Sequence, residues 1–184
     1  MSLKVVSLAA AVENSDDFHV ARILLLLKAA GGRSGKPVQG IMKLAKLDFL
    51  LRYPNCLVRV LNALHRNSDA VSIPEEERNT IEARMIRFRY GPWDKRYRRW
   101  IGLLVAKGLA QTYLEGRTVN VKITAVGQAV AEQFLGLNEF QPLGVRSRLV
   151  ASAVGSFSAT KLKTFIYDVF PEIVNMQWGE HIEL

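Results

Sequence analysis

Cysteine is nearly missing from this 184-residue chain. A single Cys56 excludes an internal disulfide, and with it a fold stapled for an oxidising compartment. Its setting in PNCLVRVL predicts a small, buried apolar position and a reducing, cytoplasmic home. Histidine is scarce as well: His19, His65 and His181 lie far apart, none with a His or Cys at i+3 or i+4, which excludes the usual zinc spacings. Long hydrophobic runs are also lacking. The most apolar stretch, Ile23 to Leu27, sits between Arg22 and Lys28 and falls far short of the roughly 18 uninterrupted apolar residues a membrane span needs. The opening MSLKVVSLAAAVENSDD holds Lys4 and a short apolar segment without a small-residue cleavage site, so no signal peptide is expected. No repeat of fixed period and no low-complexity segment appears.

Catalytic signatures are wanting too. AGGRSGKP approaches the phosphate-cradling spacing G-x-x-x-x-G-K-[ST], but Ala30 stands where the first Gly is required and Pro37 replaces the magnesium-holding hydroxyl. The segment also follows a predicted helix, whereas a P-loop follows a strand. A flexible turn is the expectation, with Arg33 and Lys36 touching a phosphate backbone only nonspecifically. Serines and carboxylates show no nucleophile-elbow pattern, and no Gly-rich dinucleotide fingerprint follows a strand. Glu75, Glu76 and Glu77 suit a helix start, not an acid–base pair. No enzyme, cofactor or metal is therefore expected.

What the chain does have is apolar mass and positive charge. With 49% hydrophobic residues and a mean hydropathy of +0.07, it has enough for a sizeable core in one domain, or in a small domain with an extension. Twenty-five basic residues against 17 acidic ones give +8 and a pI near 9.8, which favours polyanions through counterion release and steering.

Periodicity and breakers divide the chain. A helix opens at Asn14, Ser15 or Asp16, with Asp17 suited to its dipole; Phe18, Val20, Ala21 and Ile23 to Leu27 cover nearly every face, which predicts a place in the centre of the core. After the Gly-rich turn, a helix over about Val38 to Arg52 places Ile41, Leu44, Leu47 and Leu51 on one side, with Lys43, Lys46, Asp48 and Arg52 facing elsewhere. Pro54 ends it. Another follows from Asn55 to Arg66. Pro74 and the three glutamates open a helix expected to run to about Tyr90, where Gly91 and Pro92 stop it. The next, Asp94 to Lys107, buries Tyr97, Trp100 or Ile101, Leu104 and Val105, with Leu109 beyond them. Gly108 terminates it. Strands Ala110 to Leu114 and Arg117 to Ile123 flank a Glu115-Gly116 turn, and Val119, Val121 and Ile123 alternate with polar Asn120 and Lys122. Thr124 then caps a helix with Val126, Val130, Ala131 and Phe134 inward. GLNEFQPLG reads as a linker, followed by helices at Val145 to Val154 and at Ala159 to Val169, the latter opened by Ser158. Phe165, Ile166, Val169, Phe170, Ile173 and Trp178 either close the core or await a partner.

The densest signal is the run from Arg84 to Lys107, RMIRFRYGPWDKRYRRWIGLLVAK. It sets eight Lys or Arg residues against one acid, Asp94, interleaved with Phe88, Tyr90, Trp93, Tyr97 and Trp100. One reading is a solvated helix whose cations offset charge elsewhere and whose aromatics are core. The sharper reading makes Lys95, Arg96, Arg98 and Arg99 the N-terminal half of a DNA recognition helix, with Arg117 at the hairpin tip reaching a backbone or minor groove and Lys122 flanking it.

The segment Asp94 to Phe134, with KRYRRWIGLLVAKGLAQ, LEGRTVNVKIT and AVGQAVAEQF, resembles the winged-helix half of MarR-like and PadR-like regulators. That resemblance implies a domain that binds DNA, expected to be double-stranded; if it does, a homodimer is expected, because two recognition helices in successive major grooves raise affinity and read paired half-sites. KLAKLDFLLRYPN with RYGPWDKRYRRWIGLLVAKGLA is similar to the small middle components of bacterial ABC-three-component systems, associated with anti-phage defence. This second resemblance implies a non-enzymatic adaptor beside an SMC- or Rad50-like ATPase or its companion subunit.

The expected architecture is mainly α: an N-terminal arm over 1–15, a winged helix-turn-helix domain over 16–135 with a two-stranded wing and inserted helices at about 53–93, and a C-terminal helical extension over 136–184. The insertion separates the recognition helix from the helix before it, which favours an adaptor or assembly role over a simple one-domain repressor.

Overall fold

A computed structural model of the protein describes residues 15–32, 34–71 and 85–183. Residues 1–14 of the expected N-terminal arm, Arg33 and the Pro74 to Glu77 helix start lie outside these residues. The architecture is mainly helical with a small antiparallel sheet.

Helix α1, Asp16–Gly31, starts after Ser15, whose extended backbone occupies the N-cap position without a side-chain bond; Asp16 and Asp17 fill its positive first turn. Gly32, at φ 59°, stops it. Val20 to Leu27 are all buried, as the all-round apolar pattern predicts, but His19 and Arg22 are buried with them. The helix runs through the middle of the core, against three later helices and the sheet.

The helix expected from Val38 begins only at Ile41. Val38–Gln39 form strand β1 instead, pairing with Val121 and Asn120. Gly40, at φ 101°, makes the elbow into α2, Ile41–Arg52. Long-range strand pairing decides these two residues, and a β-branched, fully covered Val38 suits it.

Helix α2 also departs from the expected one-sided pattern: Lys43, Lys46, Asp48 and Arg52 are all buried. Tyr53 breaks the helix before Pro54, and Pro54 opens α3, Pro54–Ala63. Cys56 is buried there, and burial pushes its thiol up to about 12.

The helix expected to reach Tyr90 does not. From Ile86 the chain is a hairpin, β2 Ile86–Phe88 against β3 Gly91–Trp93. Its outer edge is satisfied by the C-terminal segment, through Arg87 N to Glu180 O at 2.8 Å, Gly179 N to Arg87 O at 2.7 Å and Ile182 N to Met85 O at 2.8 Å. Backbone groups paired across so much sequence outweigh local helix preference.

Helix α4, Tyr97–Ala106, turns through Gly108 at φ 68° into strand β4, Ala110–Glu115, and β5, Thr118–Ile123. Gly116, at φ 60°, makes a two-residue turn as expected, but the turn is Gly116-Arg117 and not Glu115-Gly116, because Glu115 pairs with Thr118 and so belongs to the strand. The sheet order is β1-β5-β4. Thr124 caps α5, Ala125–Leu135, by accepting from Gly127 N at 3.0 Å, while its own hydroxyl donates to Gly108 O at 2.7 Å. Ala131 is buried and Val130 and Phe134 half-buried, but Val126 is 59% exposed, because only one stripe of this helix meets α1.

Gly127 fixes that packing. A Cβ there would stand 2.0 Å from the Leu109 carbonyl oxygen, a backbone atom that cannot swing aside. Gly127→Ala is expected to destabilise the fold by roughly 1–3 kcal/mol through overpacking. An unchanged melting temperature in a calorimetric scan would refute this close approach.

The expected linker is shorter than predicted: after a 3-10 turn at Asn138–Phe140, helix α6 spans Gln141–Val154 with Pro142 in its first turn. Helix α7, Ala159–Val169, is capped by Ser158, which accepts from Lys161 N at 3.1 Å. Helix α8 is Pro171–Asn175. Ile166, Phe170 and Ile173 are fully buried, so most of the apolar tail closes the core. Trp178, at 69% exposure, does not.

Candidate nucleic-acid interface

The start of α4 is built by Asp94. The sequence places this residue at the helix N-cap; in the fold it sits two residues earlier, its Oδ1 accepting from Arg96 N at 2.9 Å. Arg96 closes the same ring with its side chain, through Nε to Oδ1 at 3.1 Å and Nη2 to Oδ2 at 2.9 Å, and its guanidinium lies 4.8 Å from the Trp100 ring. Arg52 is a second partner of the Asp94 carboxylate, at 3.0 Å. Burial alone would push the Asp94 carboxyl up; hydrogen bonds from Arg96 and the charge of Arg52 outweigh it and hold it down to about 2.

Beneath this clamp lies a second buried carboxylate. Asp48 pairs bidentately with Arg22, at 2.8 and 3.0 Å, and accepts from the Tyr97 hydroxyl. Arg22 also contacts His19 Nδ1 at 2.5 Å, and the His19 ring lies 4.3 Å from that of Trp100. These residues link α1, α2 and α4 in a hub closed to solvent. Sequence reasoning missed it, although His19 and Arg22 standing one turn apart on an otherwise apolar helix were a usable signal.

The six predicted contact residues now separate. Arg98 and Arg99 are exposed on α4, opposite the buried Tyr97, Trp100, Ile101 and Leu104. Lys95, expected inside the helix, is exposed in the turn before it, because Asp94 closes that turn on Arg96 and the helix begins only at Tyr97. Val105, expected inward, is 39% exposed because the helix ends at Ala106 and Leu109 fills the core in its place. Arg99 pairs with Asp16 at 2.5 Å, its side chain still 70% exposed, and Lys107 lies 3.7 Å from Asp17. Arg96 is half-buried and bound to Asp94. Arg117 is exposed in the β4–β5 turn, and Lys122 is half-buried opposite Gln111, on the sheet face away from Val121 and Ile123.

Among the described residues, no side-chain hydrogen bond or ion pair engages Lys95, Arg98, Arg117 or Lys122. Asn120, expected on a solvated face, is buried, its amide donating to Glu115 Oε2 at 3.0 Å. Gly102 lies on the exposed side of α4 with open space around it. It costs about 1 kcal/mol of helix stability relative to alanine and has no packing reason to be there.

No family model matches the chain, and neither a curated protein nor a solved structure is found to be similar to it. The site therefore stands on its own geometry. Among the described residues, no helix is long and apolar enough to cross a membrane, and no three His, Cys, Asp or Glu side chains are grouped to hold a metal. The arrangement offers a basic helix face and a basic hairpin tip, joined by one tight turn and backed by a rigid ionic hub.

Proposed function

We propose that the protein is a non-enzymatic, double-stranded-DNA-binding protein with a winged helix-turn-helix core, a regulator or defence-system component that acts as a homodimer. In this reading α1, β1 and α2 lead to α4 as recognition helix, and β4 and β5 are the wing. The sheet order β1-β5-β4 supports it, because the short strand before α2 ties the hairpin to the helical body. The observation that carries it is the exposure of Arg98 on the helix that runs directly into the hairpin, with Lys95 exposed in the turn just before that helix and Arg117 at the hairpin tip. Phosphates attract such cations, and the helix face smoothed by Gly102 admits close approach to base edges. Arg96 drops out of the contact set, because its guanidinium holds Asp94.

Titration of a fluorescent duplex at about 50 mM and then about 200 mM salt tests the reading. Each phosphate contact should add roughly 0.9 to the slope of log affinity against log salt, giving tight and steeply salt-dependent binding. No binding at the lower salt would sink it.

A second reading has its own support. The inserted hairpin is closed by the C-terminal segment beside the start of α4, and Val174 and Trp178 remain exposed there. Those features suit an adaptor subunit docking on an ATPase or companion of an ABC-three-component or SMC-like complex. Failure of the purified proteins to co-elute at micromolar concentration would remove this alternative.

A further inference from the structure

Away from the α4 face, a second group of cations collects where the β2–β3 turn crosses α2 and α7. Arg89 places its guanidinium 5.3 Å from the centre of the Tyr90 ring, and Lys163 of α7 approaches the same ring at 5.9 Å. Lys163 is also 5.7 Å from the Tyr167 ring, which Arg87 approaches at 5.3 Å. Beneath the turn lies Lys46, only 2% exposed, whose ammonium donates to one backbone carbonyl, Met42 O, at 3.1 Å. Gly91 packs on it so closely that a Cβ would stand 3.3 Å from Lys46 Cε. Burial, and then the charge of Lys163, lowers the Lys46 pKa to about 8. The Tyr167 hydroxyl is buried without a partner.

Among the described residues, no carboxylate pairs with Lys46, Arg89 or Lys163. Converging like charges in a poorly solvated place is unfavourable, and an arriving anion relieves it. The aromatic rings narrow the choice of anion. Phe88 and Tyr90 are 41% and 43% exposed, so part of each aromatic residue is accessible, Phe88 with one side stacked on Trp93 and Tyr90 with its flanking cations. Exposed aromatic faces flanked by cations are what a nucleotide with an unstacked base requires, the base on the ring and its phosphate on the cations. A duplex keeps its bases stacked inside and offers no such face.

We propose that the β2–β3 turn and α7 form a stacking platform for an unpaired nucleic-acid strand, with a base on Tyr90 and backbone phosphates on Arg89 and Lys163. This site goes beyond the duplex-binding reading and does not depend on it.

The test uses the full chain and two labelled probes of equal charge: an oligothymidine of about twelve nucleotides and an abasic strand of the same length, at about 50 mM salt. The platform predicts tighter binding of the oligothymidine than of the abasic strand. Tyr90→Ala should weaken oligothymidine binding about tenfold, and Tyr90→Phe, which keeps the ring, should bind as the parent does. Arg89→Ala with Lys163→Ala should lower the salt slope by roughly 0.7 per lost contact. Arg98→Glu with Arg117→Glu, aimed at the α4 and hairpin face, should leave oligothymidine binding in place. The proposal is overturned by any of three results: no oligothymidine binding by the parent protein, equal binding of the abasic strand, or loss of strand binding through the α4 and hairpin variant. Circular dichroism melts establish that each variant is folded.

Discussion

Replacing Asp48 by alanine should destabilise the protein by about 3–5 kcal/mol, the range for stripping one partner from a buried ion pair. Asp48 is fully buried, and its two oxygens hold Arg22 in a bidentate pair and receive the Tyr97 hydroxyl. Without it, Arg22 at 3% exposure and Arg52 at 8% would remain as buried cations, one of them with no carboxylate. Asp48→Asn keeps the volume and some hydrogen bonding but leaves the same excess charge, so it should be only slightly milder. The exposed Lys107–Asp17 contact is the contrast: Lys107→Ala should change stability by less than about 0.5 kcal/mol. Urea unfolding measures all three variants. An Asp48→Ala protein as stable as the parent would show that the hub does not hold α1, α2 and α4 together.

The same carboxylates set the acid limit. Burial alone would raise the Asp48 carboxyl, but the charge and hydrogen bonds of Arg22, with Arg52 and Tyr97, keep it below the ordinary carboxylate range. Asp94 is held at about 2. Both folded values lie below the unfolded value of about 3.9, so the stability they contribute is fully present above that pH and lost as the pH falls toward 2. Stability measured from pH 6 downward should therefore drop below about pH 4, and Asp94→Asn should flatten that part of the curve.

Arg98→Glu combined with Arg117→Glu should lower duplex-DNA affinity by about a hundredfold or more, since each change replaces attraction to a phosphate with repulsion. The salt slope should fall by roughly 0.9 per lost contact, about 1.8 for the pair. Both side chains are exposed, and neither takes part in the ionic hub, so the melting temperature should hardly move. Arg96 is not a suitable target, because removing it strips Asp94 of two side-chain hydrogen bonds and tests the clamp instead of the interface. Unchanged affinity in the double variant would take the contact face away from α4 and the hairpin.

The sequence by itself determined whatever a few neighbouring residues decide. Thr124 and Ser158 cap their helices, Gly116 turns the hairpin, Pro54 separates two helices, and the apolar circumference of α1 sends it to the core. Each depends on backbone sterics or on a side chain reaching an amide three residues away, and such physics is legible along the chain.

Only the tertiary structure decided the remainder. Val38 and Gln39 are a strand because β5 lies beside them, and residues 86–93 are a hairpin because residues 179–182 complete its edge. Lys43, Lys46, Asp48 and Arg52 look like a solvated face until α1, α4, α7 and the β2–β3 turn close over them. The same holds for the candidate site. Six cations were legible as a group, but which of them are engaged by carboxylates depends on Asp94 and Asp16, brought up by folding. Charge is a property of residues, whereas its availability to a partner is a property of the packed molecule.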